Sequence, residues 1–379
     1  MNIEKFFSIL EELGGDFYTG VPDSLLGPFI DGIVDRHGVS GRHIVAANEG
    51  AAVGLAAGHY LATARPAVVY MQNSGLGNAI NPICSLLHKK VSSIPAIFVI
   101  GWRGEPGVKD EPQHVFQGEI TLSLLDCLQI PYVVVSKDTQ DLEGVAKEFK
   151  QHLDGGQSVA FVIRKDVLSS SGKVSYTNSH GSLLSREDAL KAILAASGDD
   201  SIYVCSTGKL SREVFEIRQQ TGGGGHHRDF LTVGAMGHSL MIACGIALEK
   251  PGKQVFCLDG DGAVIMHMGS LAVAAAHGAK NLVHIVINNS AHETVGGLPT
   301  VSGSFEMHKA AQALGYSQTF RAKSESELLE VLKAIQGLGG PIFIEVLCNL
   351  ASRADLGRPS ISPIENKNNI MTYLAGDDK

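Results

Sequence analysis

The stretch Val255 to His292, VFCLDGDGAVIMHMGSLAVAAAHGAKNLVHIVINNSAH, constrains the fold of this chain more than any other. Val255 to Leu258 is a short apolar run that predicts a buried strand, and Gly260-Asp261-Gly262 supplies a turn at its carboxyl end. Met266 to His277 is rich in alanine with apolar residues at helical spacing; Leu282 to Ile287 predicts a second buried strand ending on Asn288-Asn289. A strand–helix–strand unit of this kind is a parallel crossover. It puts Asp261 and Asn289 at neighbouring carboxyl ends, where open α/β sheets take ligands. A carboxylate and an amide oxygen are hard donors suited to Mg²⁺, which is commonly shared with phosphate oxygens. Glycines let the backbone approach a diphosphate, and the helix N-terminus adds donors and partial positive charge. A tight turn would explain Gly-Asp-Gly alone; the asparagine pair at the next strand end favours a metal-held diphosphate.

The same alternation runs along the rest of the chain. Asp16 to Thr19 leads to a turn at GVPDSLL, and Ile44-Val45-Ala46 ends at Asn48-Glu49 before a helix from Gly50 to Thr63. Ala67 to Met71 runs into the loop QNSGLGN; Ile94 to Ile100, Pro131 to Ser136 and Val159 to Ile163 complete the first set of strands. Short unbroken apolar runs between helices predict a parallel sheet covered on both faces. From Ser169 to Ser185 the periodicity lapses into Ser, Gly, Asn, Thr and His, as in a linker. The second half has a helix from Arg186 to Ala196, a strand from Ile202 to Cys205, the Gly-Asp-Gly unit, and a last core strand from Phe343 to Val346 before a polar tail. The expected fold class is α/β, with two domains (residues 1–168 and 186–379) joined by a linker over 169–185. Each domain is a mainly parallel sheet covered by helices on both faces.

Charge and cysteine usage narrow the partners. The chain has 379 residues, enough for two cores. A net charge of −8 and a pI near 6.0 give no general affinity for nucleic acid or an anionic membrane. Six cysteines without a CxxC spacing, all in apolar segments, read as buried, reduced thiols of a cytoplasmic protein. MNIEKFFSILEEL is an acidic amphipathic helix rather than a signal peptide, and no apolar run reaches membrane-spanning length. Neither half has a GxGxxG with a following acidic residue, and Gly75-Leu76-Gly77-Asn78 lacks the third glycine, which disfavours a dinucleotide oxidoreductase. His226-His227 after four glycines reads as a loop rather than a metal tract.

Three further segments bear on a diphosphate cofactor. Glu49 stands where a strand gives way to a helix, in AANEGAA; a first-turn glutamate stabilised by the helix dipole is the plain alternative. The segment Leu231 to Gly237, LTVGAMG, surrounds Met236 with small residues, and Thr207-Gly208 follow another strand end. With Gly-Asp-Gly and the asparagine pair, these segments resemble the thiamine diphosphate (ThDP) enzymes, and the likeness covers nearly the whole chain. The resemblance implies a pyrimidine-binding domain and a diphosphate-binding domain. It implies that Glu49 bonds the aminopyrimidine, that the Gly234 carbonyl receives its amino group, and that Met236 wedges under the cofactor. Thr207, Gly208, Gly260, Gly262 and Ala263 would line the diphosphate. Asp261, the Asn289 side chain and the Ala291 carbonyl would ligate Mg²⁺, with Asn288 as support. It also implies a homodimer or higher homo-oligomer in which Glu49 and Asp261 of one site come from different subunits.

Six segments in order are similar to the phosphonopyruvate decarboxylase family: GVPDSLL (20–26), MQNSGLGN (71–78), DEPQHVFQG (110–118), STGKLSRE (206–213), NNSAHETVGGLPT (288–300) and DLGRP (355–359). Leu298 stands where that family typically has Gln. The implied reaction is loss of CO₂ from 3-phosphonopyruvate to give phosphonoacetaldehyde, in phosphonate biosynthesis, with ThDP as electron sink. Sulfopyruvate decarboxylase or another 2-keto-acid decarboxylase is the alternative. Asp23, His114, His292 and Glu293 are the candidates for proton handling, against the ordinary reading of each as a solvated loop residue. Arg103, Lys209, Arg212, Arg353 and Arg358 are candidates for the phosphonate, since arginine offers a two-point fork to such a group. Ser24, Asn73, Ser74 and Gln113 are the uncharged candidates for substrate binding, Asn73 and Ser74 as donors to the carboxylate.

Overall fold

Runs of apolar residues between turn-marked segments fold, in the computed structural model, into two six-stranded parallel sheets. The structure describes residues 1–169, 172, 174–176, 180–221, 225–277 and 279–376. Contacts divide the chain into two units, Met1–Ser175 and Tyr176–Lys379.

The first unit contains β1 (Tyr18–Gly20), β2 (His43–Val45), β3 (Ala67–Gln72), β4 (Ala96–Gly101), β5 (Tyr132–Val135) and β6 (Val159–Ile163), in the order β2-β1-β3-β4-β6-β5. Every residue of β4 and β6 is buried, because helices cover both faces and no alternation is needed. The helix Glu49–Thr63 lays Ala52, Val53, Ala56 and Ala57 into the core with Val69 and Met71 of β3; its small residues allow close approach to the sheet. The N-terminal helix Ile3–Glu12 is amphipathic as expected. It buries Phe6, Phe7 and Leu10, and Asn2 caps it by accepting from the Glu4 N–H.

The second unit contains β7 (Ile202–Cys205), β8 (Asp229–Leu231), β9 (Val255–Gly260) and β10 (Leu282–Asn288), a hairpin of β11 (Ala291–His292) and β12 (Leu298–Pro299), then β13 (Gln318–Ala322) and β14 (Ile342–Leu347). The sheet order is β13-β14-β10-β9-β7-β8. β9 and β10 are parallel neighbours, with Gly260 opposite Ile287, so their carboxyl ends lie side by side. β7 flanks β9 on the other side, which brings the turn after Cys205 to the same edge of the sheet.

Several expectations are corrected. The Ala-rich helix expected over Met266 to His277 begins only at Gly269, and a separate short helix, Asp261–Met266, starts at Asp261 where a turn was expected. The expected polar tail is the helix Pro363–Gly376, which buries Asn366 and Ile370. Asn366 accepts from the Leu231 N–H and donates to the Asp229 carbonyl, so this helix satisfies the open edge of β8. Of the six free cysteines, Cys84 and Cys127 are exposed rather than buried. His226 stacks on Phe215 and sits 3.0 Å from Asp229 Oδ2, a packed position rather than a free loop; Gly222 to Gly224 lie outside the described residues. No helix among the described residues is long and apolar enough to cross a membrane.

Candidate active site

In the second unit the carboxyl ends of β7, β9 and β10 carry the residues singled out in the sequence. Asp261 is 2% exposed, and its Oδ2 accepts from Ser302 Oγ at 2.9 Å and from Thr300 Oγ1. Burial pushes its carboxyl up to about 6, although both hydroxyls and the N–H groups of its own turn favour the charged form. Hydroxyls bring no positive charge, and a divalent cation would supply what this carboxylate lacks.

The two asparagines have different duties. Asn288 Oδ1 accepts from Ser302 Oγ at 2.9 Å and from the Ser290 N–H at 3.0 Å, and its Nδ2 donates to Glu345 Oε1 at 2.9 Å. Its amide is consumed in support. Asn289 Oδ1 accepts only the Ala291 N–H, at 3.1 Å, among the bonds of the described residues, which leaves a lone pair for a cation. Ser290 between them is left-handed (φ 57°), turning the chain into β11.

Glycine gives close approach at two points of this edge. A Cβ on Gly262 would lie 3.0 Å from the His292 ring and 3.4 Å from Met236 Cε, so these three residues meet. A Cβ on Gly208, which has φ 92°, would lie 2.9 Å from Thr294 Oγ1. Thr207 Oγ1 donates to the Val233 carbonyl at 2.8 Å and ties the β7 turn to the Gly234–Met236 segment. Burial pushes the His292 imidazole down to about 4, so it is neutral near pH 7. Glu293 is the reverse case: burial would raise its carboxyl, but Arg186 and Lys209 outweigh burial and hold it below the usual range. It stays ionised, so it has no proton of its own to donate.

The first unit holds a second constellation. Glu49 is the first residue of its helix, Asn48 Oδ1 caps that helix through the Ala51 N–H at 2.9 Å, and Glu49 is 5% exposed. Its Oε2 accepts from Asn78 Nδ2 at 2.8 Å. A Cβ on Gly75 would lie 2.6 Å from Glu49 Cγ and Oε1, so only glycine lets the QNSGLGN turn close over this carboxylate. Asp23 is fully buried; Gln72 Nε2 donates to it at 2.7 Å and the Leu25 N–H at 3.1 Å. Burial raises its carboxyl against the lowering by Gln72 and Arg103. Ser74 Oγ donates to Gln72 Oε1 at 2.8 Å, so Gln72 links Asp23 to Ser74. On the helix Pro112–Cys127, Gln113 Oε1 and His114 Nδ1 are buried without a partner among the described residues, as ligand-facing groups are. Burial first, then Arg103, pushes His114 down to about 4.

The substrate candidates fare unevenly. Asn73 is corrected: its amide donates to the Arg103 carbonyl at 2.9 Å and Thr121 Oγ1 at 2.8 Å, leaving no proton for a carboxylate. Arg103 grips Asp110 by two bonds, at 2.7 and 2.5 Å, and reaches Ser24 Oγ at 3.3 Å. Lys209 donates to Ser352 Oγ at 2.5 Å, and Arg212 to the Leu356 and Gly357 carbonyls. Arg353 is held by Glu187, Glu216 and Asp355. A guanidinium facing three carboxylates is a brace, so Arg353 is corrected as a phosphonate receptor. Arg358 is exposed. Ser24 and Ser74 stay beside Arg103 and Gln72 in the first unit.

Comparison with known proteins fixes the family. The model described as thiamine pyrophosphate enzyme, N-terminal TPP binding domain, matches residues 3–125, and the C-terminal TPP binding domain model matches residues 206–346. A phosphonopyruvate decarboxylase of Streptomyces viridochromogenes is 33% identical over 371 residues, covering 94% of this chain and 90% of the relative. The chain belongs to the thiamine pyrophosphate enzyme family. A sulfopyruvate decarboxylase of Methanosarcina acetivorans is 25% identical, covering 91% of this chain and 90% of the relative. A sulfopyruvate decarboxylase subunit beta of Methanothermobacter thermautotrophicus is 29% identical over 164 residues, covering 43% of this chain and 82% of that subunit. Thiamine diphosphate is therefore the cofactor. The residues fit it: a glycine-lined turn after β7, an under-compensated carboxylate after β9, a free amide lone pair after β10, and a carboxylate in the first unit over which only glycine closes.

Thr300, Ser302, Asn78 and Gly75 were given no role at the site from the sequence, although Gly75 and Asn78 lie in the quoted MQNSGLGN segment. Thr300 lies within the quoted NNSAHETVGGLPT segment, but only the hairpin β11–β12 turns its hydroxyl onto Asp261. A serine two residues later carries no signal of its own.

Proposed function

We propose that this chain is a ThDP- and Mg²⁺-dependent carboxy-lyase that converts 3-phosphonopyruvate to phosphonoacetaldehyde and CO₂, in the cytoplasm and in phosphonate biosynthesis. The pairing of an under-compensated Asp261 with the remaining lone pair of Asn289 Oδ1, at adjacent strand ends, carries the metal and cofactor part of the reading. The higher identity to a phosphonopyruvate decarboxylase, 33% against 25% for a sulfopyruvate decarboxylase at similar coverage, favours this substrate over sulfopyruvate.

In this reading residues 1–168 bind the pyrimidine and residues 186–379 the diphosphate, with 169–185 as linker. Asp261, Asn289 and the Ala291 carbonyl hold Mg²⁺; Thr207, Gly208, Gly260, Gly262 and Ala263 line the diphosphate; Gly234, Met236 and Glu49 hold the pyrimidine end. Bound ThDP supplies an electron sink for the pair released when CO₂ leaves. Glu49 keeps its carboxylate in place through Asn78 and the closed Gly75 turn, ready to share a proton with a ring nitrogen. His292, neutral beside Gly262, can accept or donate a proton at its ring nitrogens. Asp23 is kept toward its protonated form by burial, which suits it to give a proton to the product carbon, and Ser74 donating to Gln72 and Gln72 donating to Asp23 fix its carboxyl in place. His114 and Gln113 offer orphaned acceptors, and Ser24 and Ser74 offer hydroxyls, to the substrate. Arg103, whose Nη1 reaches Ser24 Oγ, is the cation proposed for the phosphonate.

We further propose a homodimer or larger homo-oligomer in which Glu49 and Asp261 of one site belong to different subunits. The existence of a relative named as a separate subunit suits a site built from more than one chain.

The deciding experiment compares kcat/KM for phosphonopyruvate, sulfopyruvate and pyruvate. Phosphonopyruvate is expected to lead by at least about tenfold, the lower end of discrimination between closely similar substrates. A lead for sulfopyruvate or pyruvate would replace the substrate assignment and leave the cofactor assignment standing.

A further inference from the structure

Asn289 can meet a cation only through its amide oxygen, and an unrestrained asparagine amide turns either way. Here the nitrogen is occupied. Asn289 Nδ2 donates to Glu293 Oε2 at 2.9 Å. The same carboxylate oxygen accepts from Arg186 Nη1 at 2.5 Å, and Lys209 Nζ stands 3.5 Å from Glu293 Oε1. Arg186 is in turn gripped by Glu213 through two bonds, Nε to Oε2 at 2.6 Å and Nη2 to Oε1 at 2.7 Å. Arg186 is 6% and Glu213 1% exposed, so the clamp lies where paired charges hold their geometry. Two carboxylates face two cations, and no net charge is buried.

We propose that Glu293 and Arg186 are positioning residues that hold the Asn289 nitrogen away from the divalent cation, so that the amide oxygen is presented to it. The inference rests on the reading of Asn289 as a ligand. With the clamp removed, only the Ala291 N–H bonded to Oδ1 still orients the amide, which can then reverse and offer N–H groups to the cation for part of the time. Lys209 directly follows Gly208, so the clamp also ties the β7 turn to the end of β10, two edges of the diphosphate cradle. Lys209 and Glu293 thereby gain one structural explanation in place of separate roles toward substrate.

The test is Mg²⁺ titration by calorimetry, with Mn²⁺ binding followed by electron paramagnetic resonance, on the full chain in a fixed excess of ThDP. Glu293→Ala is expected to raise the Mg²⁺ Kd about 10- to 100-fold, the range for a group that orients a ligand. At saturating Mg²⁺ and ThDP its kcat stays within about threefold of wild type. Glu293→Gln keeps a carbonyl toward Asn289 and Arg186 and holds Kd within about threefold, a rescue that general loosening would not give. Asn289→Ala raises Kd at least as much as Glu293→Ala, and adding Glu293→Ala to it costs little more, because the two act as one unit. Should Glu293→Ala fail to fold, Arg186→Lys replaces it: the fork is lost, the charge kept, and Kd is still expected to rise. An unchanged Kd in Glu293→Ala or Arg186→Lys, with a raised Kd in Asn289→Ala, overturns the positioning role alone. An unchanged Kd in Asn289→Ala overturns the ligand reading beneath it. A collapsed kcat at unchanged Kd in Glu293→Ala returns Glu293 to proton handling.

Discussion

Asp261 and Glu293 are carboxylates at the same edge of one sheet, and their surroundings push them in opposite directions. Asp261 follows β9, is sealed from water and is held by the hydroxyls of Thr300 and Ser302; burial dominates and its carboxyl rises to about 6. Glu293 follows β11 and is also sheltered, but Arg186 and Lys209 more than offset burial and keep it ionised. One site is completed by its own chain. The other is left short of positive charge, and that shortage is what distinguishes a place for an ion from a brace.

The contrast can be broken in graded ways. The largest effect is expected from Glu49→Gln, which removes the proton-sharing carboxylate: decarboxylation should fall at least about 100-fold, as for loss of a positioned acid–base group. Fluorescence of Trp102 should show the fold retained; undiminished turnover would remove Glu49 from the chemistry. Asp261→Ala should weaken Mg²⁺ binding by more than about 100-fold, beyond the usual effect of an orienting group. Subunit exchange between inactive Glu49→Gln and Asp261→Ala chains should restore part of the activity, and no recovery would count against sites shared between subunits.

A smaller effect concerns the apoprotein. Its Asp261 carboxyl is raised from 3.8 to about 6, so the stability it contributes is present below the lower value and is lost as pH rises through the upper one. Asp261→Asn should therefore stabilise the apoprotein near neutral pH, by on the order of 2–3 kcal/mol, with less gain in mild acid. Thermal unfolding without ThDP and Mg²⁺ checks this; an equal gain at both pH values would mean that the charge is not the cause. Gly75→Ala, forcing a methyl against Glu49, should lower kcat about tenfold through displacement of that carboxylate. The smallest change is expected from Arg353→Ala: a lower melting temperature with KM for the keto acid within about twofold, since Glu187 and Glu216 already occupy its guanidinium.

Much of the frame was legible in the sequence because β4, β6, Val255 to Leu258 of β9 and, apart from His284, Leu282 to Ile287 of β10 are apolar runs without alternation, as strands buried on both faces are. β8 and β13 were not. β8 is three residues long and begins on Asp229, whose buried charge is answered by Arg218, and β13 is a half-exposed edge strand carrying Arg321. The C-terminal helix was hidden by its polar composition, since it is held by two bonds from Asn366 to β8 as well as by apolar residues. At the site, Gly-Asp-Gly, the asparagine pair and Glu49 stand out because local backbone shape and chemistry coincide in one short segment. The availability of a side chain does not show in this way. Asn73 and Arg353 looked like donors to substrate, but Thr121, Glu187 and Glu216 claim them from far along the chain. Thr300 and Ser302 were missed for the matching reason: the hairpin, not their neighbours in sequence, brings their hydroxyls to Asp261.

Calorimetric titration of ThDP into the apoprotein, with and without Mg²⁺, near pH 7 and about one unit below pH 6, bears most directly on Asp261 as the group that awaits a cation. The expected result is ThDP binding that requires Mg²⁺, weakens about tenfold per unit below pH 6, and is accompanied there by release of a proton that Asp261→Asn abolishes. ThDP binding of equal strength without a divalent cation, or the same pH dependence in Asp261→Asn, would contradict it.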